Sequence, residues 1–534
     1  MTWNQGTATD YLDLLDQLIQ CATSRHLASV VISDDGSGYA AGDILDIDGT
    51  GATSTHVAKI EVVTVGGGGE ITAARVYTGG AYTVDPTTTT ANAATGGTGS
   101  GAEFDLTFAD TGWTQRRRTQ EAVSATVAGG GTGYSVSDTL TLVGGVIAQG
   151  GAAATFTVST ESGGVITAVT LASAGLYEVP PSSPVQVTGG GGSGATLTLT
   201  TQDFAGDTVV VLEGDAGGSN TDPVVGIKTY QLSDETTLNT TYNFAIFGAL
   251  ANQDTVRLDQ FSGISPGFNT STLDGQITAS STGDGAFVPL KTADAYDIGF
   301  WFSITGRRIH VVLRVETAST TYYPSFSLGL LNPAGVASEL AYPLYVVGSC
   351  DRRRVWYADT NSVFSGITEI IGRANGPGFV WTPESTVLEF KNALITSNTS
   401  PTVSYDASND APRIVLWPIG ISQVHELLAD ENWSVASALG FDNADFADPT
   451  PTIIYRTPNT GSDLFALFPA TVVQSDSATD AYRIFGEIDG VYWFDLGGVA
   501  VASEDRIDQG GTFYRVFQNG TRTNHQSFLA IRED

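Results

Sequence analysis

The side chains in this chain that could do chemistry are its carboxylates, a few histidines and two runs of arginine. Asp43-Ile-Leu-Asp-Ile-Asp-Gly49 spaces three carboxylates as a calcium loop would. The bidentate Glu that closes such a loop is missing, however, and the segment alternates like a strand. Asp43 and its counterpart Asp138 are therefore expected to hold turn amides. His26, His56, His310, His425 and His525 are scattered without ligand spacing and read as surface or satisfied core histidines. Gly189-Gly-Gly-Gly-Gly-Ser-Gly194 satisfies the dinucleotide-loop string, but a Thr/Leu strand follows where a helix should begin. Neither a nucleophile elbow nor a His-Glu-x-x-His zinc helix is recognised. Two carboxylates across a sugar would suffice for glycoside hydrolysis, a pairing that spacing alone cannot identify. No catalytic, cofactor or metal residue is assigned, and the chain is read as non-enzymatic.

The arginines stand out against their background. Lys and Arg number 24 against 57 Asp and Glu, a net charge of -33, and only Lys59, Lys228, Lys291 and Lys391 are lysines. A surface this acidic repels phosphate backbones and anionic lipid, so nucleic acid is not expected as a partner. Such a surface suits saline surroundings, where screening relieves self-repulsion. Arg116-Arg117-Arg118 and Arg352-Arg353-Arg354 invert the charge locally. Two readings stay open: pairing with acids of the same chain, or docking onto the acidic face of a neighbour through bidentate forks.

The elements that carry these residues are mostly strands. Gly makes up 63 of 534 residues and charged residues only 15%, a composition of short strands and tight turns. The exception is near the start. After a short arm carrying Trp3, residues Tyr11, Leu14, Leu15, Leu18, Ile19 and Ala22 form one apolar helical stripe, with Thr9 as the expected N-cap. The stripe packs either on its own domain or on a neighbouring subunit. No basic region followed by an apolar run marks a signal peptide, and no apolar stretch is long enough to span a membrane. Cys21 and Cys350 are read as two buried thiols, with one long-range bridge as the alternative.

An internal repeat dominates the first part. Gly38-Tyr39 recurs as Gly133-Tyr134, Asp43 as Asp138, Gly68–Ala73 as Gly163–Ala168 and Pro86 as Pro181, all at an offset of 95. The closing Ser100-Gly-Ala102 recurs as Ser193-Gly-Ala195 at an offset of 93. Two copies of one small antiparallel module follow, over 26–110 and 120–202. They are expected as beads in series, with 111–119 as linker. Downstream strands are expected at Thr208–Leu212, Tyr242–Phe247, Ile298–Ile304, Ile309–Val315, Ser325–Leu331, Tyr342–Val347, Ile453–Tyr455, Ala481–Ile488, Gly490–Asp495 and Thr512–Phe517. A short helix is expected at Ser422–Ala429. The fold expected is all-β and multidomain: a 1–25 arm and helix, a 26–110 module, a 111–202 linker and module, then β-sandwich-like domains over 203–400 and 401–534.

Several segments resemble known proteins. Gly306–Val315, Tyr322-Tyr323, Ser327–Leu330 and Tyr342–Leu344 are similar to a segment of tailed-bacteriophage virion structural proteins, as are Asp489–Phe494 and Gly511–Asn519. The Gly-Tyr…Gly-Asp module is similar to small β domains of phage tail, neck and fibre-like proteins, although the second copy has Ser137-Asp138 where the first has Gly42-Asp43. The resemblance implies a component of a tailed phage tail, neck or baseplate, made in the host cytoplasm. It would assemble as a homo-oligomer with other virion structural proteins. The interface expected on this basis comprises Trp3, Tyr11, Leu14, Leu15 and Leu18 with Arg116, Arg117, Arg118, Arg352, Arg353 and Arg354. Deleting residues 1–25 is then expected to abolish incorporation into particles while leaving the distal domains folded. The alternative is a tail fibre or spike that binds host-surface glycan, for which Trp356, Trp381, Trp417 and Trp493 could supply stacking platforms.

Overall fold

The computed structural model describes residues 1–206, 208–215, 222–231, 241–265, 286–291, 297–316, 321–333, 343–348, 376–381, 387–392, 413–418, 466–476, 481–495, 501–518 and 527–533. The architecture is all-β and multidomain, with several antiparallel sheets and one N-terminal α-helix. No helix among the described residues is long and apolar enough to cross a membrane.

The centre is a sandwich. One layer is a five-stranded sheet in the order Thr114–Arg118, Val209–Glu213, Val224–Gln231, Thr241–Ala249 and Ala286–Lys291. The other layer belongs to a large sheet that starts with Thr2–Ala8 beside Ile298–Thr305 and continues through Arg308–Glu316, Ser325–Leu330 and Leu344–Val347. Further along come Gly376–Trp381, Val387–Asn392, Arg413–Pro418, Ala466–Asp476 and Ala481–Asp495, and the path ends with Ser527–Arg532, Thr512–Gln518 and Arg506–Gln509. Its pairs are antiparallel except Val387–Asn392 with Arg413–Pro418. The sheet folds back so that its two ends meet: the Trp301 ring lies 4.9 Å from that of Phe517, and Ser303 Oγ donates to the Arg532 carbonyl at 3.3 Å. The domain break expected near 395–410 therefore falls inside one continuous sheet.

Val210, Leu212, Ile227, Phe244 and Ile246 from the first layer and Phe300, Phe302, Val311, Phe326 and Leu328 from the second form one apolar cluster. The helix, Tyr11–Thr23, adds its whole stripe to that cluster. Its N-cap is Asp10, one residue later than expected: the carboxylate accepts from Leu12 N and Asp13 N, both at 2.9 Å, while Thr9 N donates back to Asp13 at 2.8 Å. Cys21 is a buried free thiol whose pKa is pushed up by burial. Cys350, Ile453–Tyr455 and Ser422–Ala429 lie outside the described residues.

The repeat folds twice in the same way. The first copy orders its strands Thr53–His56, Ala81–Val84, Arg25–Ser37, Ser100–Asp110, Asn92–Gly96, Ile44–Ile47, Lys59–Val65 and Ile71–Thr78. The second orders Val146–Ile147, Tyr177–Val179, Gln120–Thr132, Ser193–Asp203, Val185–Thr188, Thr139–Leu142, Thr155–Ser162 and Val165–Ser173, strand for strand the same. Gly38 and Gly133 take φ of 79° and 81°, and each turns the following tyrosine, Tyr39 or Tyr134, into the module's own core. Tyr82 and Tyr177 repeat a second bond, their hydroxyls accepting from Ala58 N and Ala154 N at 2.7 Å.

The copies differ at one turn. Gly42 has φ of 91°, and its counterpart Ser137 is held at 74°, in the left-handed region that costs an L-residue roughly 1–2 kcal/mol. A Cβ at Gly42 would meet nothing within 4 Å, so the penalty at this turn is one of backbone alone. Ser137→Gly is expected to stabilise the second module by about 1 kcal/mol. Slower amide exchange of its strands in the full chain would confirm this, and faster exchange would count against it.

The modules are not beads in series. Arg25 pairs in register with Asp110, and Gln120 with Asp203, so each module leaves and rejoins the sandwich through two neighbouring antiparallel strands. The segment between them is no free linker. Trp113 is buried in the sandwich core and donates from Nε1 to the Thr305 carbonyl at 2.6 Å, Thr111 Oγ1 bonds to the Ala22 carbonyl, and Thr114–Arg118 pairs with Val209–Glu213. Residues 1–24 and 111–119 thus belong to the sandwich, and both modules are insertions into it.

Burial also sets an acid response. His310 is enclosed between Ser303 and Ser327 of the adjacent strands with neither ring nitrogen hydrogen-bonded. Burial, then the Arg308 charge, lowers its pKa to about 3. His26 is lowered to about 4, chiefly by burial. A histidine whose folded pKa lies below its unfolded value favours the unfolded chain as pH falls through the unfolded value near 6.5. Thermal melts are expected to show stability lost from about pH 6 downward, with His310 alone contributing roughly 3 kcal/mol by pH 4. His310→Leu should flatten that slope, and an unchanged slope would refute the assignment.

Candidate interaction surface

The residues expected to meet a neighbour are turned inward. Trp3 is 2% exposed in the edge strand Thr2–Ala8, and Tyr11, Leu14, Leu15 and Leu18 lie at 7%, 1%, 0% and 1% in the sandwich core. The expected interface is therefore corrected at these five positions. The helix packs on Thr2–Ala8, Ile298–Thr305 and Thr114–Arg118, so the chain's own sheets cover its stripe.

The first arginine triplet is likewise turned to its own chain. Arg116 pairs with Glu213 on the neighbouring strand. Arg116 is the extra residue of a bulge in this strand, and Arg117 after it has its side chain fully buried. It lies 3.3 Å from Glu178 Oε2 of the second module, donates to the carbonyls of Val256 at 2.9 Å and Gln253, and stacks 4.7 Å from the Phe261 ring centroid. The same Glu178 oxygen accepts from Leu258 N at 2.7 Å. Burial draws Arg117 down and Glu178 up in pKa, and their mutual attraction opposes both shifts. Arg118 reaches Asp16 on the helix at 2.6 Å and Asp203 at the foot of the second module at 3.2 Å. Three consecutive arginines thus bind together sandwich, helix and second module, which corrects their expected role as an intersubunit contact. Arg352, Arg353 and Arg354 lie outside the described residues.

The turn acids do what their spacing implies. Asp43 Oδ2 accepts from Ala40 N and Thr98 N at 2.9 Å and from Thr98 Oγ1 at 2.7 Å, bonds that lower its pKa. Asp138 repeats the arrangement on Ser135 N at 2.9 Å and Gly191 N at 3.0 Å. Asp46 is taken by Lys59, and Asp48 by Thr50. Among the described residues no three His, Cys, Asp or Glu groups converge as a metal site.

Contrary to the expectation that the chain holds no nucleophile-elbow pattern, Gly263-Ile-Ser-Pro-Gly267 matches it. Ser265 in it is buried, its N donating to the Gly248 carbonyl at 2.9 Å and its Oγ accepting from Gly248 N at 3.3 Å. Its hydroxyl is turned into the fold, whereas an elbow presents the nucleophile at a surface. Of the tryptophans considered as sugar platforms, Trp356 lies outside the described residues, and the side chains of Trp381, Trp417 and Trp493 do as well.

What remains at the surface lies on the modules. Among the described residues the large apolar side chains left exposed are Val31, Val57, Val84, Val123, Val136, Val143 and Val165, and all seven belong to the two insertions. Among the described residues the sandwich contributes none. The sequence matches no family model and no curated protein.

Proposed function

We propose that the chain is a structural component of a tailed phage virion, of tail, neck or baseplate type, that assembles with further copies of itself and with other virion structural proteins. The resemblance of its sequence segments motivates the reading. The observation that supports it best is that, among the described residues, the exposed large apolar groups are confined to the two like-folded insertions. In this reading the modules make the contacts, while the helix and the first arginine triplet hold the scaffold together.

The test is imaging of particles that carry a labelled chain, alongside a chain in which 121–202 are replaced by a short Gly linker between Gln120 and Asp203 and Arg117 is changed to Met, because the excision removes its buried partner Glu178. Labelled particles with the full chain, and loss of incorporation with the excised one, are expected. A chain that stays monomeric and absent from particles refutes the reading, and saturable binding to host-envelope glycan would put a spike function in its place.

A further inference from the structure

The first module touches the sandwich in a way the second does not. Along strand Thr2–Ala8 its Gly79 N donates to the Trp3 carbonyl at 2.9 Å, its Gly80 N donates to Asn4 Oδ1 at 2.9 Å, and Gln5 Nε2 donates to Tyr77 OH at 3.1 Å. At the opposite end of the same sheet path, Arg506 donates from Nη1 and Nη2 to the two oxygens of Glu61 at 2.8 and 2.7 Å. Glu61 also pairs with Arg75 at 2.6 Å, and Arg75 stands 3.7 Å from Glu533. Glu533 lies 2.8 Å from Arg506 Nε and 2.7 Å from Arg515 Nη2. The Arg75 and Arg506 guanidinium carbons lie 3.5 and 4.0 Å from the centroid of the Phe513 ring. Three guanidiniums and two carboxylates therefore meet with side chains at most 19% exposed.

The module's own fold does not require these charges. Val62 and Val158 hold equivalent places, their carbonyls accepting from Gly42 N and Ser137 N. One residue before each valine, the cross-strand pair Glu61–Arg75 of the first copy becomes Thr157–Thr170 in the second. Two threonines serve the same register in the same strand order. The charges at Glu61 and Arg75 are thus specific to the copy that meets the final strands. Removing one partner from a largely buried pair of this kind leaves the other charge uncompensated and weakens the contact it makes.

We propose that the first module is a latched arm: the face formed by Arg506, Phe513 and Arg515 is its docking surface, and breaking the Glu61–Arg506 clasp lets the module swing out on its Arg25/Asp110 neck without unfolding. Opening would free the outer edge of strand Thr2–Ala8 and an arginine–phenylalanine face on an otherwise acidic chain.

Hydrogen exchange by mass spectrometry on the full chain and on the Glu61→Gln, Arg506→Gln and doubly substituted chains tests this. Peptides holding Gly79 and Gly80 are expected to exchange about tenfold faster in either single variant, with no further gain in the double. Peptides holding Val62 and Leu106, whose amides bond inside the module, should stay within about twofold. Unchanged exchange at Gly79 and Gly80 overturns the proposal, as does parallel acceleration at Val62, which would mean unfolding and not swinging. Should the variants fail to fold, the unsubstituted chain taken from low to molar salt must show the same split between the two sets of peptides, and its absence is equally decisive.

Discussion

Removing residues 1–25 is expected to unfold the sandwich. Seven register pairs, from Thr2 with Ile304 to Ala8 with Ile298, would be lost, leaving Ile298–Thr305 as a bare edge at the core of the chain. Six large side chains, Trp3, Tyr11, Leu14, Leu15, Leu18 and Ile19, would leave a buried environment. At about 1.5–3 kcal/mol each, their burial alone amounts to roughly 9–18 kcal/mol, as much as the whole net stability of a typical domain. The truncated chain should be insoluble, or should lose amide protection across 298–313. A soluble truncated chain with those strands still protected would contradict this. The prediction reverses the expectation drawn from sequence, in which removal of the first 25 residues abolishes incorporation but leaves the distal domains folded.

Arg117→Met is expected to destabilise the chain by about 3–5 kcal/mol, because it leaves the Glu178 carboxylate buried without its counter-charge. Both side chains are almost wholly enclosed, so water cannot replace the lost partner. Adding Glu178→Gln removes the orphaned charge and keeps an oxygen for Leu258 N, and should restore at least half of the loss. Denaturant midpoints of the two variants give the comparison. If the double variant is no better than the single, the cost lies in lost packing against Phe261 and the carbonyls of Gln253 and Val256, and the ion pair is secondary.

Local signals were readable and long-range ones were not. The helix stripe from Tyr11 to Ala22 has a 3.6-residue period, and the module repeat keeps a constant offset, so both could be located without coordinates. Strands such as Ile298–Thr305 and Arg308–Glu316 were found to within a residue because each is a long apolar run. The side on which the stripe is buried is a different kind of fact: a helix that covers its own sandwich has the same period as one that covers a neighbour. The arginines pose the same difficulty, since Arg117 and Glu178 are 61 residues apart and Arg506 and Glu61 are 445 apart. No spacing rule links such partners. The insertion topology was hidden because the in-register pairs Arg25–Asp110 and Gln120–Asp203 join positions that look, in sequence, like the two ends of a bead.

Those paired strand ends also make each module a cassette. Because the chain departs and returns one strand-width apart at Gln120 and Asp203, the scaffold senses where the two ends are and, of what lies between them, chiefly the Glu178 carboxylate that faces Arg117. Any foreign domain whose termini emerge side by side could be plugged into the second socket, provided that a carboxylate is kept opposite Arg117, and the sandwich would display it as cargo.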